Sequence, residues 1–186
     1  LVEARRRLVF DEFFLFIMGM RYQNKKQQKD KNEFEFTDDA FIDGLIEKLP
    51  YELTGAQKKT IDEIKQDIKS PYVMQRLIQG DVGSGKTIVA FLLMAWASKC
   101  GYQSAIMAPT EVLANQHYET FCSLVSQFGL DSPVVRLTGS MTAKQKREAY
   151  ARLENEKNAL IIGTHALIQE LSLIHISEPT RLRRIS

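Results

Sequence analysis

Cysteine is nearly missing from this chain. Cys100 and Cys122 are the two among 186 residues, too few for a disulfide framework or a cysteine zinc site, and the pattern points to a reduced, cytoplasmic setting. Histidine is almost as scarce, with three residues, so imidazole chemistry has few candidates. No apolar run approaches the thickness of a bilayer. The longest conspicuous one, Phe13 to Met20, is flanked by charge and far shorter than the roughly 20 residues of a spanning helix, which argues against a membrane partner. No internal repeat is present. Nor is there much excess of charge, with 25 basic against 23 acidic residues.

Even that small excess has a local source. The stretch Leu171-Ser172-Leu173-Ile174-His175-Ile176-Ser177-Glu178-Pro179-Thr180-Arg181 resembles an in-frame translation of a transposon-end sequencing adapter, and Leu182 to Ser186 read as further read-through. The chain also opens on Leu1 rather than methionine, as a fragment does. Residues 171–186 are therefore set aside from fold and function. They hold Arg181, Arg183 and Arg184 against Glu178, and without them 22 basic residues face 22 acidic ones. Net basicity gives no support to nucleic-acid binding. His175 leaves with the tail, so His117 and His165 remain, and both read as packing or capping residues.

The remainder is long enough for one core of ordinary size. Residues 1–22 read as an amphipathic-to-apolar helix, with Arg5, Arg6 and Arg7 on a solvated face ahead of a Phe-rich one. Gln23 to Lys31 is a Lys/Gln run with little apolar content, the composition of a flexible linker. An acidic-capped helix fits Asp38 to Leu49, stopped by Pro50. From Tyr51 onward strands and helices alternate. Helices are expected over Gly55–Lys69, Thr87–Cys100, Glu111–Phe128 and Thr142–Leu153, and strands over Met74–Ile78, Ser104–Met107, Pro133–Leu137 and Ala159–Ile162. Such alternation gives an α/β fold, a parallel sheet covered by helices on both faces, with ligands at the carboxyl ends of its strands.

The most informative segment is Gly80-Asp81-Val82-Gly83-Ser84-Gly85-Lys86-Thr87. Two glycines, a lysine and a hydroxyl residue at this spacing, between an apolar strand and an apolar helix, form a phosphate-binding loop. Glycines let backbone N–H groups approach the phosphates. Lys86 brings positive charge to their oxygens, the Thr87 hydroxyl suits Mg²⁺, and the following helix adds its N-terminal donors and dipole. The implied ligands are a nucleoside triphosphate and Mg²⁺. Upstream, Thr54-Gly55-Ala56-Gln57 has the spacing of a capping box, which by itself accounts for both Thr54 and Gln57. The alternative is that Gln57 reads the edge of an adenine, with Tyr51 or Leu53 packing beside it.

Three further turns share one character. Ala108-Pro109-Thr110-Glu111 follows the second expected strand, Thr138-Gly139-Ser140 the third, and Gly163-Thr164-His165 the fourth. Each is an ordinary strand-to-helix turn taken singly. Taken together they place Thr110, Thr138, Gly139, Ser140 and Thr164 in a row of uncharged phosphate donors along one edge of the sheet.

In this order the segments resemble motifs I, Ia, Ib and Ic of superfamily 2 helicases. With Leu49-Pro50-Tyr51-Glu52-Leu53-Thr54-Gly55-Ala56-Gln57 in front, residues 1–170 are similar to the RecG family of bacterial DNA helicases. The transcription-repair coupling factor shares the motor motifs but is less similar in the leading segment. The resemblance implies a partial RecA-like P-loop NTPase domain over 51–170, preceded by a helical linker region: a helix from the wedge domain over 1–22, then a polar linker and short helix over 23–50. It implies an ATP-dependent enzyme of recombination and repair that remodels stalled forks and Holliday junctions, acting on branched or duplex DNA with no obligate protein partner. Under it Gln57 becomes an adenine contact, Lys86 and Thr87 the phosphate and Mg²⁺ residues, and the hydroxyl row the DNA contacts. The Walker B acids, of DExH or DExQ type, should follow shortly after Leu167, and no such run does. The chain is therefore expected to bind ATP weakly and to hydrolyse little, on a sheet left marginal by the missing strand. A non-motor P-loop enzyme, such as a small kinase, and a non-catalytic nucleotide-binding module are the other readings.

Overall fold

The computed structural model describes residues 2–26, 31–165 and 167; the tail set aside above lies outside them. The elements run α1 (Val2–Lys26), α2 (Asp39–Glu47), α3 (Gly55–Ile68), α4 (Lys86–Lys99), β1 (Ser104–Met107), α5 (Glu111–Phe128), β2 (Val134–Leu137), α6 (Ala143–Asn155) and β3 (Leu160–Gly163). The three strands form one parallel sheet in the order β1-β3-β2, with Ser104 and Val134 both opposite Leu160 and Met107 and Leu137 both opposite Gly163. Beyond each of these strands lies one of the three hydroxyl turns, so the topology gathers them at one end of the sheet.

Central β3 explains its own sequence. All four of its residues are buried, as expected for a parallel strand covered on both faces. Leu160 and Ile162 point into a core with Phe91, Leu92, Trp96 and Phe121. Ile161 points the other way, to Val135, Leu137, Ala149 and Leu167. Helices α4 and α5 cover the first face and α6 the second. Helix α4 is apolar all round because the sheet lies on one side of it and α2 and α3 on the other. Nine of its fourteen residues are buried. Among the described residues, no helix is long and apolar enough to cross a membrane.

Two departures from the sequence reading concern the first fifty residues. Helix α1 continues to Lys26, into the run expected as linker, and its apolar side chains from Val9 to Met20 are exposed. Residues 27–30 of that run lie outside the described residues, and from Asn32 the chain is docked. Asn32 donates from its side chain to the Ile68 carbonyl at 2.6 Å. Phe36 meets the Trp96 ring at 4.9 Å, and the Trp96 indole N–H reaches the Thr37 carbonyl at 3.1 Å. Asp38 precedes α2 in a left-handed conformation, φ 65°, and makes no side-chain cap bond. Aspartate tolerates that conformation better than most residues.

A third departure lies beside the phosphate loop. Met74–Ile78, expected as a buried strand, pairs with no strand among the described residues. Leu77 is 89 % exposed. An apolar run becomes a strand only where a neighbour takes up its N–H and C=O groups, and here none lies alongside. Arg76 anchors the segment instead. Its Nε donates to Asp67 at 2.6 Å and its guanidinium also bonds Glu63, both on α3. That hydrogen bond holds the Asp67 carboxyl below its ordinary range and raises Arg76. The periodicity of Met74–Ile78 carried no hint of this anchor.

Candidate functional site

The loop from Gly80 to Thr87 is shaped by backbone before side chains. Gly83 and Gly85 have φ of 82° and 77°, a region that other L-residues enter at a cost. Gly85 is also the N-cap of α4 and offers no side-chain acceptor. The amides of Ile88 and Val89 turn back to the Gly85 carbonyl. Those of Lys86 and Thr87 find no acceptor among the described residues, as is usual for the first N–H groups of a helix.

Lys86 folds across that concavity. Its Nζ donates to the carbonyls of Gly80 at 2.6 Å and Asp81 at 2.7 Å, and lies 3.3 Å from the Ser84 hydroxyl. A Cβ at position 80 would come within 2.8 Å of that hydroxyl, so glycine there keeps the cradle open. The Val82 side chain is fully exposed and Thr87 is half-buried at the start of the helix. The Lys86 ammonium, the two uncommitted N–H groups and the Thr87 hydroxyl, all at the start of α4, form a donor set suited to a polyphosphate and its metal. The observed donors thus fit a nucleoside triphosphate with Mg²⁺.

Gln57 does two things at once. The capping box is complete: the Gln57 amide donates to Thr54 Oγ1 at 3.3 Å, and the Thr54 amide donates to Gln57 Oε1 at 2.8 Å. In addition Gln57 Nε2 donates to the Ser84 carbonyl at 2.9 Å. The start of α3 is thereby tied to the phosphate loop, a long-range link that the capping pattern could not reveal. Leu53 belongs to the core, whereas Tyr51 is exposed, so of the two only Tyr51 is available to pack on a base. Replacing Gln57 by alanine should lower the unfolding free energy by about 1 kcal/mol, the usual size of a lost cap, measured by urea denaturation. A loss below a few tenths would show that neither the cap nor the tie contributes.

The hydroxyl row is less uniform than its sequence. Thr110 is exposed at the N-cap of α5, where Oγ1 accepts the Leu113 amide at 3.3 Å. Gly139 and Ser140 are exposed as well. Thr138 and Thr164, in contrast, are buried to 4 % and 9 % exposure, because each closes the end of a central or covered strand. Only part of the expected row therefore lies at the surface. Glu111, not singled out from the sequence, joins two of the turns: its Oε1 accepts the Ser140 amide at 2.9 Å. The Ser140 hydroxyl, then the Ser140 and Gly139 amides, hold this carboxyl below its ordinary range, with Arg136 adding to the effect. Beyond Ser140, a cleft of about 580 Å³ runs between α5 and α6 along β2, lined by Tyr118, Arg136, Met141, Gln145 and Arg152 among others. His117 is half-buried on α5 and His165 is exposed. Among the described residues no cluster of histidine, cysteine and carboxylate side chains is arranged to hold a metal.

Known proteins resemble this chain in sequence and in fold. A family model described as DEAD/DEAH box helicase matches residues 54–186. The ATP-dependent DNA helicase RecG of Aquifex aeolicus (strain VF5) is 43 % identical over 165 residues, covering 89 % of this chain and 21 % of that protein. RecG of Staphylococcus aureus (strain MRSA252) is 44 % identical over 176 residues, covering 94 % and 25 %. Among solved structures, RecG bound to a three-way DNA junction superposes with a TM-score of 0.72 at 38 % identity, over 90 % of this chain and 23 % of that one. A hypothetical ATP-dependent RNA helicase from Sulfolobus tokodaii, 19 % identical with a TM-score of 0.52 over 74 % of this chain and 37 % of that one, shares the fold. The sheet and its helices are thus part of a RecA-like helicase domain, and the chain spans about a quarter or less of the RecG relatives it matches.

Proposed function

The chain belongs to the DEAD/DEAH box helicase family, and on that premise we propose that it carries the nucleotide-binding part of a RecG-type motor that remodels branched DNA. The observation that carries the reading is the 80–87 loop, where the Lys86 ammonium spans the Gly80 and Asp81 carbonyls beside the start of α4, whose Lys86 and Thr87 amides have no acceptor among the described residues. Mg·ATP bound there would supply the transferable phosphoryl group. Lys86 would exchange its two carbonyl partners for phosphate oxygens, and the Thr87 hydroxyl would face the metal. The backbone of Gly80, Asp81, Val82, Gly83, Ser84 and Gly85 would wrap the phosphates. Gln57, with one Nε2 hydrogen uncommitted, would meet the base edge. Helix α4 has its N-terminus at the loop, so its dipole adds to the attraction for anions.

DNA would lie across the strand ends, against the exposed Thr110, Gly139 and Ser140, with the buried Thr138 and Thr164 holding the turns beneath it. Amides and hydroxyls hold a phosphate backbone without reading bases, which suits an enzyme that moves along DNA of any sequence. The relative solved with a three-way junction supports this placement through its 38 % identity. The sequence contains no DExH or DExQ run; phosphoryl transfer leans on such a carboxylate to position the metal and the attacking water. Binding without sustained turnover is accordingly the activity proposed for these 186 residues.

The test pairs two titrations of the same chain. A fluorescent ATP analogue should bind in the presence of Mg²⁺ and be displaced by ATP. A labelled three-way junction should raise in anisotropy with only a shallow dependence on salt, since few charged contacts mean few released counterions. Transfer of phosphate to a small acceptor, with no DNA binding at low salt, would reject the motor reading in favour of a small P-loop enzyme.

A further inference from the structure

Glu111 stands on the donors that DNA would use. The Ser140 amide donates to its Oε1 at 2.9 Å. A Cβ on Gly139 would lie only 3.4 Å from that oxygen, so the preceding residue also runs close beside it, and both residues help hold the carboxyl below its ordinary range. Successive backbone amides of a turn beside one oxygen form an anion nest. A carboxylate oxygen and a phosphate oxygen make the same demand on such a nest, and one N–H hydrogen cannot serve both in full.

The surroundings agree. Thr110, the adjacent residue, is exposed and caps α5. Arg136 of β2 contributes a positive field at this corner, and its guanidinium is hydrogen-bonded to neutral Asn115 at 2.7 Å. It is not ion-paired to any carboxylate among the described residues. Glu111 itself begins α5, where a displaced carboxylate remains favoured by the helix dipole. The side chain therefore has a second place to rest once it leaves the nest.

We propose that Glu111 is a positioning residue that occupies, in the free chain, the Gly139–Ser140 nest in which a DNA backbone phosphate sits in the complex, so that strand binding displaces its carboxylate. The tie between the start of α5 and the loop before α6 is closed without DNA and open with it. Binding then reports itself to α5 and, through the core contact of Phe121 with Phe91 at 5.2 Å, to the helix that follows the phosphate loop. The carboxylate also sets a threshold, because a ligand must outcompete it for the Ser140 amide and tolerate its charge nearby. The inference rests on the reading that DNA lies along the strand ends.

The experiment is a titration of a fluorescein-labelled duplex of mixed sequence into the full chain at low salt, for wild type, Glu111→Gln and Glu111→Ala. Glutamine keeps only a weaker, uncharged acceptor for the Ser140 amide, so the fold is retained while the hold on the nest is loosened. With the competitor neutralised or gone, both variants should bind on the order of tenfold more tightly. Loss of a merely structural brace could not produce that gain. If wild type binds and both variants bind more weakly, the DNA reading stands and the displaced-carboxylate proposal is overturned in favour of a fixed brace. Should neither wild type nor variants bind the duplex, the reading it rests on fails and takes the proposal with it.

Discussion

Lys86→Ala is expected to weaken binding of the fluorescent ATP analogue by about 10- to 100-fold while leaving the urea unfolding midpoint nearly unchanged. Hydrogen bonds to charged groups contribute about 1.5–3 kcal/mol, which at 1.4 kcal/mol per decade of affinity gives that range. The Lys86 side chain is solvent-exposed and its partners are two carbonyls and a hydroxyl of its own loop. Removing it leaves no buried charge behind and no cavity. Lys86→Arg should fail to rescue, because the planar guanidinium is larger and directs its donors differently from a compact ammonium. Undiminished affinity in Lys86→Ala would remove this loop as the nucleotide site, whatever the family.

Gly163→Ala is expected to destabilise the chain by about 3 kcal/mol, at the upper end for an overpacked interior. The residue ends β3 opposite both Met107 and Leu137. A methyl group there would stand 2.2 Å from the Leu137 carbonyl oxygen and 2.4 Å from a Leu167 methyl. Leucine can rotate away, but the carbonyl cannot, since it also accepts the Thr164 amide at 3.3 Å. The relief must come from separating β2 and β3 where their hydroxyl turns begin, so DNA binding should weaken along with stability. Gly83→Ala is the natural control. Its φ is 82° but nothing lies within 4 Å of an added Cβ, so only backbone strain of about 1–2 kcal/mol is at stake. Equal losses in the two variants, read from urea denaturation, would show that the sheet end splays freely.

The division between sequence and structure follows the range of each interaction. Local signals were legible: the Thr54–Gln57 capping box, the glycines of the loop, the apolar run of α4, and three short strands whose residues all find a neighbour. These depend on contacts within a few positions, and their chemistry is written in adjacent residues. The family could be named from the spacing of the motifs for the same reason.

What the sequence could not contain was pairing at a distance. Met74–Ile78 has the composition of a strand, and only the sheet reveals that no described strand lies beside it. Thr138 and Thr164 look like exposed hydroxyls until the covering of β2 and β3 buries them. Gln57 reads as a cap, and the fold adds its bond to Ser84, 27 positions away. Glu111 reads as the first residue of a helix, and the parallel order β1-β3-β2 brings the Gly139–Ser140 amides to its carboxylate. The sequence by itself determined the glycine turn before α4, helices α2 to α6 and strands β1 to β3, because short-range hydrogen bonding and hydrophobic period are local. The tertiary structure alone decided which edges are paired, which hydroxyls reach solvent and which carboxylate guards the nest, because a hydrogen bond between distant residues exists only once the sheet has set their spacing.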